Sequence, residues 1–199
     1  MKKMSEKVAS STPLKVGEDG TATTPTQRCR GLFVGRFQPY HTGHHQALLN
    51  ALKKVDEMII VVGSSKESFQ PENPFTAGER IEMIGAALHE EKIFEKCYIV
   101  PVEDIKEYAL WTQRIKSFCP RFDIVFSNNP LVKELFEADG YKVERLVSDN
   151  GHIDSTTARD KILNNSSLDG LVPKSVENYL KKINAQKRIR SILEDEVKQ

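Results

Sequence analysis

The spacing of apolar residues changes period repeatedly from residue 30 onward. "GLFVG" (31–35) is a short unbroken apolar run ending in glycine, the pattern of a strand buried on both faces. In "HHQALLNALKKV" the apolar positions return at helical spacing, with Leu48, Ala51, Leu52 and Val55 on one face. "MIIVVG" (58–63) repeats the buried-strand pattern. "TAGERIEMIGAAL" then opens with Thr76 and Glu79 in capping-box spacing and carries a stripe of Ile81, Ile84 and Leu88.

The same alternation predicts a third strand in "CYIVPV" (97–102), then a helix carrying Tyr108, Trp111, Ile115 and Phe118. A fourth strand follows in "DIVFS" (123–127), then a helix from Pro130 to Gly140, where proline and glycine suit a helix start and stop. "YKVERLV" (141–147) predicts a fifth strand, and helical patterns recur near 156–164, 173–184 and 186–197. Strands and helices in this order imply right-handed crossovers. The expected fold is therefore α/β: a Rossmann-like, doubly wound, parallel five-stranded sheet with helices on both faces and a helical C-terminus. In such sheets ligands bind beyond the carboxyl ends of the strands where strand order reverses, which directs attention to residues 35–44 and 127–130.

Before Arg30 the pattern stops. Residues 1–29 are rich in Ser, Thr, Lys and Gly and nearly free of large apolar side chains, so a disordered tail is expected there. They contain no apolar core of a secretory signal. Over 199 residues, 39% are hydrophobic and 29% charged, with a net charge of +1, which excludes a general nucleic-acid or membrane-surface binder. Any anion must be met by a local cluster. Cys29, Cys97 and Cys119 lie far apart, which argues against a disulfide framework or structural zinc and for a reducing, cytoplasmic setting. No apolar run approaches the ~20 residues that cross a bilayer.

The densest chemistry is "GRFQPYHTGHH" (35–45), which holds three of the five histidines. Neither the P-loop pattern nor G-x-G-x-x-G occurs. Gly43 lets a ligand approach the backbone, and the helix expected to begin there presents unpaired amides, an anion site. His41 and His44, three apart, reach the same side of that terminus, and Arg36 adds a positive fork. Cations at a helix start oppose its dipole unless an anion sits between them, so the cluster points to a polyphosphate. Zinc and simple packing of a turn are the alternative readings, but no Cys or acid stands nearby to complete a metal site.

G-R-F-Q-P-Y-H-x-G-H resembles the H-x-G-H signature of the nucleotidyltransferase superfamily. With "NPFTAGER" (73–80), "ALW" (109–111), "SNNPLV" (127–132) and "STTAR" (155–159), the chain is similar to the archaeal-type nicotinamide-mononucleotide (NMN) adenylyltransferases over roughly residues 30–190. The resemblance implies a nucleotidyltransferase domain with C-terminal helices over 30–199. It also implies the reaction of ATP with NMN to give NAD and pyrophosphate, by in-line attack and without an enzyme nucleophile. It casts His41, His44, Arg36 and Arg159 as the residues stabilising the transferring and leaving phosphates. Gly35, Phe37, Gly43, Asn129, Ser155 and Thr156 would bind ATP, and Trp111, Tyr108 and Phe75 would bind NMN. Mg²⁺ would arrive with the nucleotide rather than in a protein cage.

Several positions read differently without the family. Trp111 on a stripe with Ile115 and Phe118 is a core pattern, "DST" before a helix is an N-cap, and His45 is a surface or packing residue; Arg80, which with Phe75 would help close the site, otherwise reads as a solvated helix charge. The chain departs from the family in carrying Tyr108 for the usual Asn, Asn128 for Gly and Asp154 for a small hydroxyl residue. Alternatives to NMN as acceptor are FMN, phosphopantetheine or a phospho-alcohol, and a silent nucleotide-binding protein is the non-enzymatic alternative. No nucleic-acid or membrane partner is expected. The sequence does not give the oligomeric state; the family often forms multimers, and Ile189, Ile192 and Leu193 could serve a homo-oligomer interface or cap the sheet.

Overall fold

Five parallel strands form: β1 (Arg30–Gly35), β2 (Glu57–Val62), β3 (Cys97–Pro101), β4 (Ile124–Phe126) and β5 (Lys142–Glu144), the first four carrying runs of branched and aromatic side chains and β5 only Val143 between two charges. In the computed structural model, which describes residues 28–147 and 154–196, they lie in the order β3-β2-β1-β4-β5. The expected tail, up to residue 27, and Ile153 fall outside the described residues. The register aligns Phe33 of β1 with Ile60 of β2 and Phe126 of β4.

Because side chains alternate along a strand, β1 to β4 feed two cores, while edge strand β5 contributes Val143 to one. Phe33, Met58, Ile60 and Val62 point into a layer built from α1 (Thr42–Leu52), α2 (Ala77–Glu90), α5 (Ser155–Leu163), α6 (Lys174–Lys182) and α7 (Ala185–Glu196). Leu48, Ile84, Leu88, Ile162, Val176, Leu180 and Ile189 supply the helical side of that layer. Leu32, Ile59, Val61 and Val125 point the other way, against α3 (Trp111–Phe118) and α4 (Pro130–Ala138) through Trp111, Ile115, Val132 and Phe136. The doubly wound sheet expected from the alternation is thus the observed one. Among the described residues no helix is long and apolar enough to cross a membrane.

Local signals set the boundaries. Thr76 and Glu79 form the reciprocal capping box at the start of α2. Asn129 caps α4 ahead of Pro130, and Gly140 ends the turn after it at φ +84°. Three expectations are corrected. α1 stops at Leu52, so Val55 is buried in the turn into β2 rather than on the helix. Tyr108 belongs to a 3-10 turn (Tyr108–Leu110) ahead of α3, and it and Phe118 are 61% and 49% exposed, which leaves Trp111 and Ile115 as the buried stripe. β5 is shorter than 141–147, because beyond Glu144 the chain pairs with a side chain instead of a strand. The Asn128 amide donates to Leu146 O and accepts from Leu146 N–H, at 2.9 and 3.0 Å.

Phe136 is fully buried at the centre of the second core, with Trp111, Phe122 and Tyr141 rings edge-on at 5.8, 5.9 and 5.7 Å. Phe136→Ala should lower the unfolding free energy by about 3–5 kcal/mol, as the lost contacts add to the cavity left behind. Urea denaturation followed by far-UV circular dichroism measures it.

Candidate nucleotide site

Strand order reverses between β1 and β4, and a cleft of about 660 Å³ opens there at their carboxyl ends. Arg36, Phe37, His41, Gly43 and His44 line one wall. Ser127, Asn128, Asn129 and Arg145 line the end of β4 and the exit from β5. Asp154, Ser155, Thr156 and Arg159 close it from the start of α5. Three segments singled out by the sequence are therefore brought together: 35–44, 127–130 and 155–159.

The first segment holds an unusual backbone. Phe37 has φ +53°, a left-handed conformation, and its buried ring folds back over Gly35. A Cβ at Gly35 would lie 2.7 Å from that ring, so glycine is required to seat Phe37 rather than to touch the cleft. The Phe37 ring in turn meets Phe33 at 5.5 Å and His44 at 4.8 Å, both edge-on. Gln38 fixes the next residue: its side-chain amide donates to Phe75 O at 2.9 Å and accepts from Phe75 N–H at 3.0 Å. Arg80 is fully buried beneath the same turn, which overturns its reading as a solvated charge.

His41 is the N-cap of α1 and His44 its third residue, and the two form a capping box built of imidazoles. His41 Nδ1 accepts from the His44 N–H at 3.3 Å, and His44 Nδ1 accepts from the His41 N–H at 3.4 Å. Two accepting Nδ1 atoms place the ring protons on Nε2, so both rings are neutral and each keeps one outward donor. The rings stack with centroids 3.6 Å apart. Burial lowers the His41 pKa to about 4, against an opposing pull from Asp154, and burial together with His41 pushes His44 well down. The expectation of two cations at the helix start is corrected: deprotonation, rather than a ligand, relieves the conflict with the helix dipole when the cleft is empty. His45 has the packing role, with Tyr40 Oη 3.2 Å from its Nδ1 and Glu91 3.6 Å from its Nε2.

α5 brings a further cation. Arg159 donates to Gln38 O at 2.9 Å and to Thr156 Oγ1 at 3.2 Å. Burial and the neighbouring Arg36 charge lower its pKa from the ordinary arginine value. The N-cap of α5 is Asp154, accepting from Thr157 N–H at 2.7 Å; Ser155, whose Oγ donates to Pro39 O at 3.4 Å, and Thr156 line the cleft from the first turn. Asn129 lines the cleft too, but its side-chain oxygen is occupied by the amides of Leu131 and Val132. Thr42 anchors the other end of the cradle, donating from N and Oγ1 to the carbonyls of Leu171 and Gly170 at 2.9 and 2.8 Å.

The acceptor residues named from the family do not join this cleft. Phe75 is fully buried in the layer with α1 and α2, Trp111 is 8% exposed in the opposite core, and Tyr108 stands in solvent. Sequence reasoning missed Arg145, although an arginine just past the carboxyl end of a parallel strand was signal enough. As to metal, the cleft lining offers one carboxylate, Asp154, and among the described residues no three metal-ligating side chains cluster. That donor set suits a cation carried on a nucleotide.

Unfolded histidine titrates near 6.5 and folded His41 near about 4. Between those values the unfolded chain binds more protons than the folded one, so stability rises with pH across that window. Acidifying the ligand-free protein from pH 6.5 to 4 should lower its unfolding free energy in urea, and His44→Gln should flatten that slope. An equal slope in the variant would mean that the rings are not held neutral.

The cytidylyltransferase-like family model matches residues 32–191. The chain is 47% identical over 168 residues to a nicotinamide-nucleotide adenylyltransferase of Archaeoglobus fulgidus, covering 82% of this chain and 97% of that one. It is 43% identical to the protein of the same name from Saccharolobus solfataricus, covering 82% and 96%. Among solved structures it resembles a bifunctional NMN adenylyltransferase/ADP ribose pyrophosphatase from Francisella tularensis, with a TM-score of 0.71 and 19% identity over 85% of this chain. It spans about half of that longer protein, 53%, and the likeness concerns the fold. The chain belongs to the cytidylyltransferase-like family, and within it to the archaeal-type nicotinamide-nucleotide adenylyltransferases.

Proposed function

We propose that the chain transfers the adenylyl group of ATP to NMN, giving NAD and pyrophosphate in NAD biosynthesis. The observation that carries this reading is the imidazole capping box facing Arg159 across a cleft at the strand-order reversal. The names of the relatives, which match along nearly their whole length, support the acceptor.

An NMN phosphate oxygen attacks the α-phosphorus in line, the bond to the β-phosphate breaks, and pyrophosphate leaves. The attacking oxygen is already anionic, so the protein need supply only position and charge stabilisation. The Nε2–H groups of His41 and His44 donate to the phosphates. Neutral imidazoles do this without burying two unpaired charges in the empty site. Arg36 and Arg159 provide the fixed positive charge, and the guanidinium of Arg159 reaches the cleft already oriented by Gln38 O and Thr156. Ser155 and Thr156 donate from the first turn of α5, and the backbone after β4 flanks the base.

Mg²⁺ would be held by the nucleotide's phosphates, with Asp154 as the protein carboxylate on the cleft wall, and would neutralise part of their charge. A second Francisella tularensis structure, 21% identical with a TM-score of 0.66, is complexed with AMP and a manganese ion, which supports a divalent cation. The acceptor assignment rests on the relatives rather than on Trp111, Tyr108 and Phe75, which do not line the cleft, and the setting is cytoplasmic.

Purified protein with Mg-ATP should release pyrophosphate on addition of NMN and not with FMN or phosphopantetheine. Stimulation by either of the latter, with none by NMN, would overturn the acceptor assignment. His44→Ala should lower kcat by about 10²–10³-fold, the cost of one preorganised donor, with circular dichroism unchanged.

A further inference from the structure

Arg80 heads the fully buried side chains by size, yet its four hydrogen bonds all go to main-chain carbonyls. Nη1 donates to Arg36 O at 2.9 Å and Gly63 O at 2.8 Å, Nη2 to Ser64 O at 3.0 Å, and Nε to Thr76 O at 3.3 Å. These carbonyls belong to three elements: the turn after β1, the turn after β2 and the cap of α2. A buried guanidinium without a bonded carboxylate is expensive, and an apolar side chain would fill the same space. What the guanidinium adds is a rigid planar fork that sets the mutual position of its acceptors.

The acceptors matter because of what each precedes. Arg36 O stands one residue before left-handed Phe37, whose ring packs on His44, and two before Gln38. The Gly63 amide donates to Gly35 O at 2.9 Å, drawing the ends of β1 and β2 together at the same spot. Ser64 is itself left-handed, at φ +46°, and its Oγ donates to Asp104 at 2.5 Å. At the other end of the turn Gln38 O is held by Arg159. Residues 36–38 are thus gripped by two guanidiniums, one facing the cleft and one buried behind it.

α2 does not need this fork to dock. It has its own capping box, a buried face of Met83, Ile84 and Leu88, and an ion pair between Glu79 and Arg188 at 2.5 Å.

We propose that Arg80 is a positioning residue that sets the turn carrying Arg36 and Phe37, and through it the orientation of His44 toward the phosphates. This rests on the adenylyl-transfer reading. Arg80 touches no substrate; its removal displaces groups that do.

The test compares wild type, Arg80→Ala and Arg80→Lys by steady-state kinetics with Mg-ATP and NMN, at a temperature below the unfolding transition of each. Arg80→Ala should lose about 10²-fold in kcat, the scale of an ångström of misplacement, while KM for ATP moves much less because His41 and Arg159 remain. Guanidinium ion at millimolar concentration should restore part of that kcat and ammonium should not, a response that a merely structural loss would not give. Arg80→Lys keeps the charge and stem but not the fork, and should fall about tenfold. Should Arg80→Ala not fold, the lysine variant decides alone. Folded variants with wild-type kcat beside an active wild type overturn the role of Arg80, and so does failure of both variants to fold, which would make Arg80 structural. A wild type inactive with NMN overturns the functional reading and takes the inference with it.

Discussion

Everything at the cleft follows from the reversal of strand order beside β1. The helix after β1 packs on one face of the sheet and the helix after β4 on the other, so the two chains part as they leave adjacent strands. A crevice results that needs no residue to carve it. What the sequence must provide is a lining. It does so with a left-handed Phe37, a helix capped by imidazole and a second helix start approaching from residues 154–159.

The lining also solves an electrostatic problem. A polyanion site must favour negative charge without being ruined by positive charge when empty. Here the mobile part of the charge is stored in neutral rings whose Nδ1 atoms are engaged by backbone amides. The permanent part is limited to the guanidiniums of Arg36, Arg145 and Arg159, the last bonded to the carbonyl of Gln38. Histidine suits such a site because its ordinary pKa lets burial neutralise it near neutral pH while one ring N–H remains as a donor.

Most of the fold was legible because the strand–helix alternation is driven by burial on both faces, which leaves a strong apolar pattern. Where local pairing took over, legibility failed: β5 gave way to the Asn128 amide, and the segment around Tyr108 to a 3-10 turn. The H-x-G-H and S-T-x-x-R segments line one cleft, but only the family resemblance linked them beforehand, since the strand-order rule pointed to 35–44 and 127–130 alone. The protonation of the histidines was not legible, since it depends on stacking and burial that no spacing encodes. Arg80 was misjudged for a related reason. On a helical wheel an arginine beside Glu79 looks solvated, and nothing in the string tells that strand-end carbonyls converge on it. Phe75 and Trp111 reached opposite faces of the sheet, so motif order alone did not imply a shared pocket.

The bond between Arg159 and the carbonyl of Gln38 joins residues 121 positions apart, and the Thr42 hydroxyl reaches 128 positions to Gly170. During synthesis from the N-terminus, β1, α1 and β2 can pair long before these partners exist. The cradle is left with one wall until α5 and the segment behind it have been made and docked. Closure of the cleft therefore comes last: until α5 docks, the turn at 36–38 lacks its bond from Arg159 and the first core lacks the helices that complete it.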